Sequence, residues 1–196
     1  MRLPLNCTVN YIHDFLSQED ADHLFQEFTR NYRIADCSIV QEINGEQFRS
    51  NFGKITVVDQ MLYEKNAFPK EIYGTTMTWP DSLQQVKDKV ENMTGRTFQF
   101  CVCIYYPDGS SGVDFHSDPP AYGDTSVIPS LSLGEKREFL LKEKETGSIY
   151  SMTLASGSLL IMGEHCQEKY QHCLPVNPIY KKPRINMTFR QYADRP

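Results

Sequence analysis

Two hydrophobic periods divide the chain. Ala21, Leu24, Phe25 and Phe28 recur at helical spacing behind Ser17, a capping residue, and Asp20; they predict an amphipathic helix over residues 17–32. Leu83, Val86, Val90 and Met93 mark one face of a second helix. It starts after Trp79-Pro80, with Asp81 or Ser82 as its cap, and stops at Gly95. Beyond Gly95 the period drops to two: Phe98, Phe100, Val102 and Ile104 alternate with Gln99, Cys101 and Cys103, as in a strand. Pro107-Asp108-Gly109 then reads as a turn, with proline presetting φ and glycine permitting a positive one. Further short strands are predicted near 126–133, 137–143, 148–154, 158–162, 170–174 and 184–192, punctuated by Gly134, Gly147, Gly157 and Pro183. Many short strands between Gly/Pro turns imply a sandwich or barrel-like roll. The reading is therefore α+β, mainly β. One domain spans 1–196, with helices in 1–95 and an all-β core in 96–196.

Composition narrows the function classes. With 40% hydrophobic and 23% charged residues, the chain is globular rather than disordered. A net charge of −5 excludes the strongly basic footprint of a general nucleic-acid binder, but not a local basic groove. Six cysteines without a CxxC pair exclude the usual structural zinc pattern and read as reduced thiols in an intracellular compartment, cytoplasmic or nuclear. The apolar N-terminal stretch is broken by Asn6, Asn10 and His13, so neither a signal peptide nor a membrane span is expected. No pattern of a dimer helix stands out, which makes a monomer the expectation.

The candidate chemistry centres on His116-Ser117-Asp118. In a strand, residues i and i+2 point to one side, so an imidazole and a carboxylate can meet one metal ion. A distant histidine would complete a 2-His-1-carboxylate triad with open positions, the arrangement of non-haem Fe(II) oxygenases. His165 and His172 compete for that place. His172 lies in the strand-like Tyr170–Leu174 segment and is favoured; His165 lies in a polar stretch that reads as loop. Downstream, Arg184, Asn186, Thr188 and Arg190 share one face of a strand whose other face carries Ile185, Met187 and Phe189. If that face is buried, its two arginines need acidic partners, and a dicarboxylate would supply one through a bidentate guanidinium pair; if it faces water, ordinary surface ion pairs would serve.

His-Ser-Asp, then His172, then Arg184-Ile-Asn-Met-Thr-Phe-Arg190, in that order, resemble the AlkB family of Fe(II)/2-oxoglutarate-dependent dioxygenases that dealkylate nucleic acids. The resemblance runs from about Phe52 to Tyr192. It includes Trp79-Pro80, Thr94–Phe98, Tyr106–Gly109 and Ser130–Gly134. It implies a double-stranded β-helix, or jelly roll, with N-terminal helices and a nucleotide-recognition lid. His116, Asp118 and His172 would hold Fe(II). Arg184 would pair the distal carboxylate of 2-oxoglutarate and Arg190 its C1 carboxylate, with Tyr106 and Asn186 adding hydrogen bonds. O₂ would be the second cosubstrate, and DNA or RNA carrying N-alkylated bases the substrate. Tyr63, Phe68, Tyr73 and Arg137 are the lid candidates. Arg137 is also a candidate phosphate contact, with Arg96, Lys136, Lys142, Lys144, Lys181 and Lys182. The chain departs from the family pattern at Ile104, where members often carry asparagine, at Pro119-Pro120, and at Val57-Val58-Asp59. Those departures, with the acidic pI, leave a protein side chain or a small molecule as the alternative substrate.

Overall fold

A computed structural model describes residues 1–43, 46–120 and 122–193. Twelve strands, in two sheets, and five α-helices are formed among them. The strands are β1 (Val9–Ile12), β2 (Ser38–Ile43), β3 (Glu46–Val58), β4 (Thr75–Thr78), β5 (Phe100–Tyr106), β6 (Val113–His116), β7 (Ile128–Gly134), β8 (Arg137–Glu143), β9 (Ile149–Leu154), β10 (Leu159–Met162), β11 (Tyr170–Leu174) and β12 (Arg184–Arg190). The helices are α1 (Gln18–Gln26), α2 (Gln60–Glu64), α3 (Lys70–Tyr73), α4 (Asp81–Thr94) and α5 (Cys166–Lys169).

The major sheet runs β1-β10-β7-β12-β5-β3-β2, with β4 added parallel to β3; the minor sheet runs β6-β11-β8-β9. At one end, side chains of β1, β7 and β10 meet those of β8, β9 and β11 in an apolar layer that includes Val9, Ile128, Leu160, Leu141 and Leu154. On the outer face of the major sheet, Leu24, Phe28, Leu83, Val86 and Val90 of the helical segments cover Ile55, Val57, Ile185, Met187 and Phe189. Burying each such side chain is worth roughly 1.5–3 kcal/mol, against tenths for helix propensity, so this packing is what holds the helices in place.

Local chemistry fixes the element ends. Ser17 Oγ accepts the Asp20 backbone N–H at 3.1 Å, as expected of a helix cap. α1 ends at Gln26, and a wide π-turn over Glu27–Asn31 carries the helical path on. There Thr29 Oγ1 donates to Phe25 O at 2.9 Å, a back-bond that loosens the last turn. α4 starts earlier than a cap at Asp81 or Ser82 would place it. Pro80 precedes it without a side-chain cap, and the Ser82 hydroxyl donates instead to Glu27, tying α4 to the first helix. Gly95 adopts φ 65°, the left-handed C-terminal conformation that glycine tolerates. Gly109 is needed for a different reason than turn chemistry suggests: a Cβ there would lie 1.9 Å from the Asn177 carbonyl oxygen, so close approach rather than positive φ demands glycine.

One sequence expectation is corrected here. The division at residue 95 into helices and β core does not follow the sheet, because β3 sits between β5 and β2 and pairs with β5 over Gly53–Val58. β1 and β3 join the major sheet through β10 and β5, which lie far along the chain, so nothing local in the sequence marks their place in it. β1 is only four residues long, and Val58 is buried in a different cluster from Ile55 and Val57. The alternation expected along β5 holds, and both of its faces are put to use. Cys101 and Cys103 are fully buried against the helices, while Val102, Ile104 and Tyr106 face inward to a cavity between the sheets.

Candidate functional site

The cavity measures about 150 Å³, with residues of β5, β7, β12 and the minor sheet around it. His116, Asp118 and His172 form one wall. Their ligand atoms all lie within 4.8 Å of one another. His116 ends β6 and is paired directly with His172 of β11, so both rings project from one face, with centroids 4.2 Å apart. Asp118 lies just past the end of β6 rather than inside a strand. Its position is held by two contacts: its backbone N–H donates to Gln167 Oε1 at 2.9 Å, and Ser117 Oγ donates to Tyr170 O at 2.8 Å. Nothing in the sequence pattern marks Gln167, because its role depends on α5 folding back over the metal-ligand segment.

The donor set fits a metal ion. The His116 Nδ1 contact to Asp114 O, at 2.8 Å, assigns the proton to Nδ1 and leaves Nε2 free to ligate. Asp118 Oδ2 is buried without a hydrogen-bond partner, while Oδ1 accepts from Arg190 Nη2 at 2.6 Å. The Asp118 carboxylate lies 4.0 Å from His116 Nε2 and 3.8 Å from His172 Nε2, beyond hydrogen-bond range but on one side of both rings. Burial would raise the Asp118 carboxyl; Arg190 and the two histidines outweigh it and hold the group below the ordinary carboxylate range. Burial draws the His172 imidazole down to about 4, so it is neutral and able to ligate at neutral pH. His165 takes no part. It caps α5 in a left-handed conformation, exposed, with Nδ1 2.9 Å from Glu168.

The His172 shift has a measurable consequence for the metal-free protein. The unfolded imidazole titrates near 6.5 and the folded one near 4, so the unfolded state takes up the proton first. Stability is therefore expected to fall as pH drops from about 6.5 to about 4, by about 3 kcal/mol in all. Urea denaturation at pH 7, 5.5 and 4 of wild type and His172→Phe checks this: wild type should show that slope and the variant should lack it.

The opposite wall belongs to β12. Arg184, Asn186, Thr188 and Arg190 all line the cavity, and Ile185, Met187 and Phe189 pack into the helix-covered core. Arg184 is 2% exposed and has no carboxylate partner among the described residues. Its Nη2 donates to Ser132 Oγ and to Asn186 Oδ1, both at 2.9 Å, while Nε has no partner. Burial draws this guanidinium down to about 10, still charged at neutral pH. Ser130 Oγ also donates to Asn186 Oδ1, fixing that amide. Tyr106, 4% exposed, lies with its ring 5.8 Å from the Arg184 guanidinium. A buried cation with unused donors beside a three-ligand metal site suits a small dianion that bridges the two. Ser130 and Ser132 are site residues that sequence reasoning missed; their signal was a pair of alternate serines in an otherwise apolar strand.

Residues 8–190 match the family model of the 2OG-Fe(II) oxygenase superfamily. The chain is 30% identical over 204 aligned residues to "DNA oxidative demethylase ALKBH2" of Bos taurus, covering 95% of this chain and 69% of that protein. The chain belongs to the AlkB family. It is an Fe(II)- and 2-oxoglutarate-dependent dioxygenase with O₂ as the oxidant. "Alpha-ketoglutarate-dependent dioxygenase alkB homolog 3" of Homo sapiens is 35% identical over 122 residues, 57% of this chain and 43% of that one. Among solved structures, "The structure of OsALKBH1" superposes with a TM-score of 0.64 at 16% identity, covering 96% of this chain and all of that one; it supports the jelly-roll fold.

Three of the four lid candidates of this AlkB-family chain are placed in ways that limit their reach. Arg137 is fully buried and donates to the carbonyls of Asp108, Ser111 and Pro175, so it fastens loops together and cannot touch a phosphate. Phe68 is 3% exposed, the centre of an aromatic cluster with Phe100, Tyr73, Tyr122 and Tyr192. Tyr73, half-buried at its edge, accepts the Tyr122 hydroxyl proton at 2.9 Å. Tyr63, on α2, is 50% exposed. No helix among the described residues is long and apolar enough to cross a membrane.

Proposed function

We propose that the protein removes alkyl groups from N-alkylated bases of DNA or RNA by oxidation. The observation that carries the reading is the pairing, across one cavity, of the His116–Asp118–His172 set with the acid-free Arg184 guanidinium. The similarity to proteins named as DNA oxidative demethylases supports the choice of nucleic acid. His116, Asp118 and His172 would hold the iron, and Arg184 the distal carboxylate of 2-oxoglutarate. Asn186 would offer its amide N–H groups and Tyr106 its hydroxyl. Arg190 has Nη2 committed to Asp118, which leaves Nε for the C1 carboxylate. In this reading the enzyme acts as an intracellular monomer, and the six free cysteines support a reducing compartment.

The bound iron and cosubstrate supply oxidative decarboxylation to succinate and CO₂ together with oxygen insertion into a C–H bond. The chain's own residues then do three things. Arg184 fixes one end of the cosubstrate. Arg190 and Gln167 hold Asp118 in place from the side chain and the backbone. Phe139, stacked against His172 with ring centroids 5.7 Å apart, shields that wall from water. The resulting hydroxymethyl group on nitrogen collapses to formaldehyde and the repaired base.

The test is mass spectrometry of oligonucleotides carrying 1-methyladenine or 3-methylcytosine, single- and double-stranded, DNA and RNA. Wild-type protein supplied with Fe(II), 2-oxoglutarate and air should remove one methyl group, and His116→Ala should not. Succinate formation without demethylation of any strand would move the substrate to a protein side chain or a small molecule.

A further inference from the structure

The residues before β1 form a strap across α5 and the start of β11. Thr8 N–H donates to Glu164 O at 3.0 Å, and Gly163 N–H donates to Thr8 O at 2.7 Å. Asn6 is pinned as well. Its N–H donates to Tyr170 Oη at 3.2 Å, its Nδ2 to Glu143, and its carbonyl accepts from Lys169 Nζ at 3.0 Å. Between these two residues, Cys7 packs into the same apolar cluster as Cys166, the first residue of α5. The two thiols are neighbours, each the largest influence on the ionisation of the other. The Cys166 thiol as hydrogen-bond partner, with Lys169 and His165 nearby, outweighs burial and Glu143 and holds Cys7 below the ordinary thiol range. The same contact and burial push Cys166 above that range. Cys7 is 5% exposed and Cys166 1%, and the strap residues on either side of Cys7 reach the surface, so Cys7 is the thiol that a water-sized oxidant meets first.

We propose that Cys7 and Cys166 form a redox modification site, which hydrogen peroxide closes to a disulfide and which loosens the metal site when closed. The Cys7 sulfur attacks one peroxide oxygen, the O–O bond breaks and water leaves, giving a sulfenic acid. The Cys166 sulfur then displaces the hydroxyl from Cys7 as a second water, and the S–S bond forms. Two thiols give up two electrons and two protons, and one peroxide becomes two waters. Bringing the sulfurs to about 2 Å requires one side to move. Asn6 and Thr8 tie the chain on both sides of Cys7, whereas α5 is a single turn entered through the left-handed His165, so the movement falls on α5. The next residue of α5 is Gln167, whose Oε1 accepts the Asp118 backbone N–H at 2.9 Å. A shift of α5 therefore reaches a metal ligand through one hydrogen bond, whichever substrate the enzyme oxidises.

The test treats metal-free wild type, Cys7→Ser and Cys166→Ser with hydrogen peroxide, removes the oxidant, and makes two measurements. Mass spectrometry of unreduced peptides reads the cross-link, and Mn(II) titration followed by electron paramagnetic resonance reads the metal site. Wild type should yield a linked Cys7–Cys166 peptide pair and lose about tenfold in Mn(II) affinity, the lower end of what outer partners of metal ligands contribute, with a reducing thiol restoring both. Cys7→Ser should bind Mn(II) as reduced wild type does and keep that affinity after peroxide; Cys166→Ser should likewise show no change on peroxide treatment. Gln167→Ala should show the weakened affinity without any peroxide. The absence of the linked pair overturns the assignment, and so does a linked pair with unchanged Mn(II) affinity. A peroxide-induced loss of affinity that persists in Cys7→Ser overturns it too, because the oxidation would then act elsewhere.

Discussion

Asp118→Ala is expected to lose more than about 100-fold in metal affinity, and turnover with it. Outer partners of metal ligands are already worth about 10–100-fold, and Asp118 is itself one of three ligand candidates. The same change should destabilise the metal-free protein, because Arg190 Nη2 donates to Asp118 Oδ1 at 2.6 Å and would be left without its anion. Breaking a buried pair from one side costs about 3–5 kcal/mol; the Arg190 side chain is 18% exposed, which places this case near the lower end. Asp118→Asn separates the two effects, since the amide keeps the shape and an acceptor for Arg190 while removing the negative charge. Mn(II) titration followed by electron paramagnetic resonance reads the first effect and urea denaturation the second. Metal binding by Asp118→Ala at wild-type affinity would remove Asp118 from the site.

Arg184→Met carries the second large effect, and its sign differs between two measurements. Losing one partner of a buried, hydrogen-bonded charge pair costs about 2–5 kcal/mol, so binding of 2-oxoglutarate should weaken about 30-fold or more. Yet the metal-free, ligand-free protein should be no less stable than wild type, and gains of about 1–4 kcal/mol have the right physical origin. The reason is that wild type holds a fully buried guanidinium whose partners are neutral oxygens of Ser132 and Asn186. Methionine fills similar volume without a charge to desolvate. Calorimetric titration of the Mn(II)-loaded protein with 2-oxoglutarate, beside denaturation of the metal-free form, tests both. A large loss of metal-free stability would mean that Arg184 is a structural ion rather than a ligand-binding one. Arg184→Lys should recover little, because an ammonium cannot reproduce the two-pronged geometry.

The sequence by itself determined the features that depend on period and residue type. The period-2 pattern of Arg184–Arg190 placed four polar side chains on one face and three apolar ones on the other, and the structure sends the first set into the cavity and the second into the core. The His116-Ser117-Asp118 motif with His172 marked the metal site, and the helical faces of Leu24 and Leu83 marked what covers the major sheet. These are local rules, with the answer written within a few residues. Tertiary structure alone decided the rest. It excluded His165, by turning it outward at the start of α5. It withdrew Arg137 from any substrate by surrounding it with carbonyls, a burial that no charge count foretells. It brought β3 beside β5, and it folded Gln167 back onto Asp118. The carbonyls around Arg137 come from residues 26 or more positions away, and Gln167 lies 49 positions from Asp118. The neighbours of β3 are set by sheet register. Contacts of these kinds join segments remote in the chain, so they leave no period in the sequence itself.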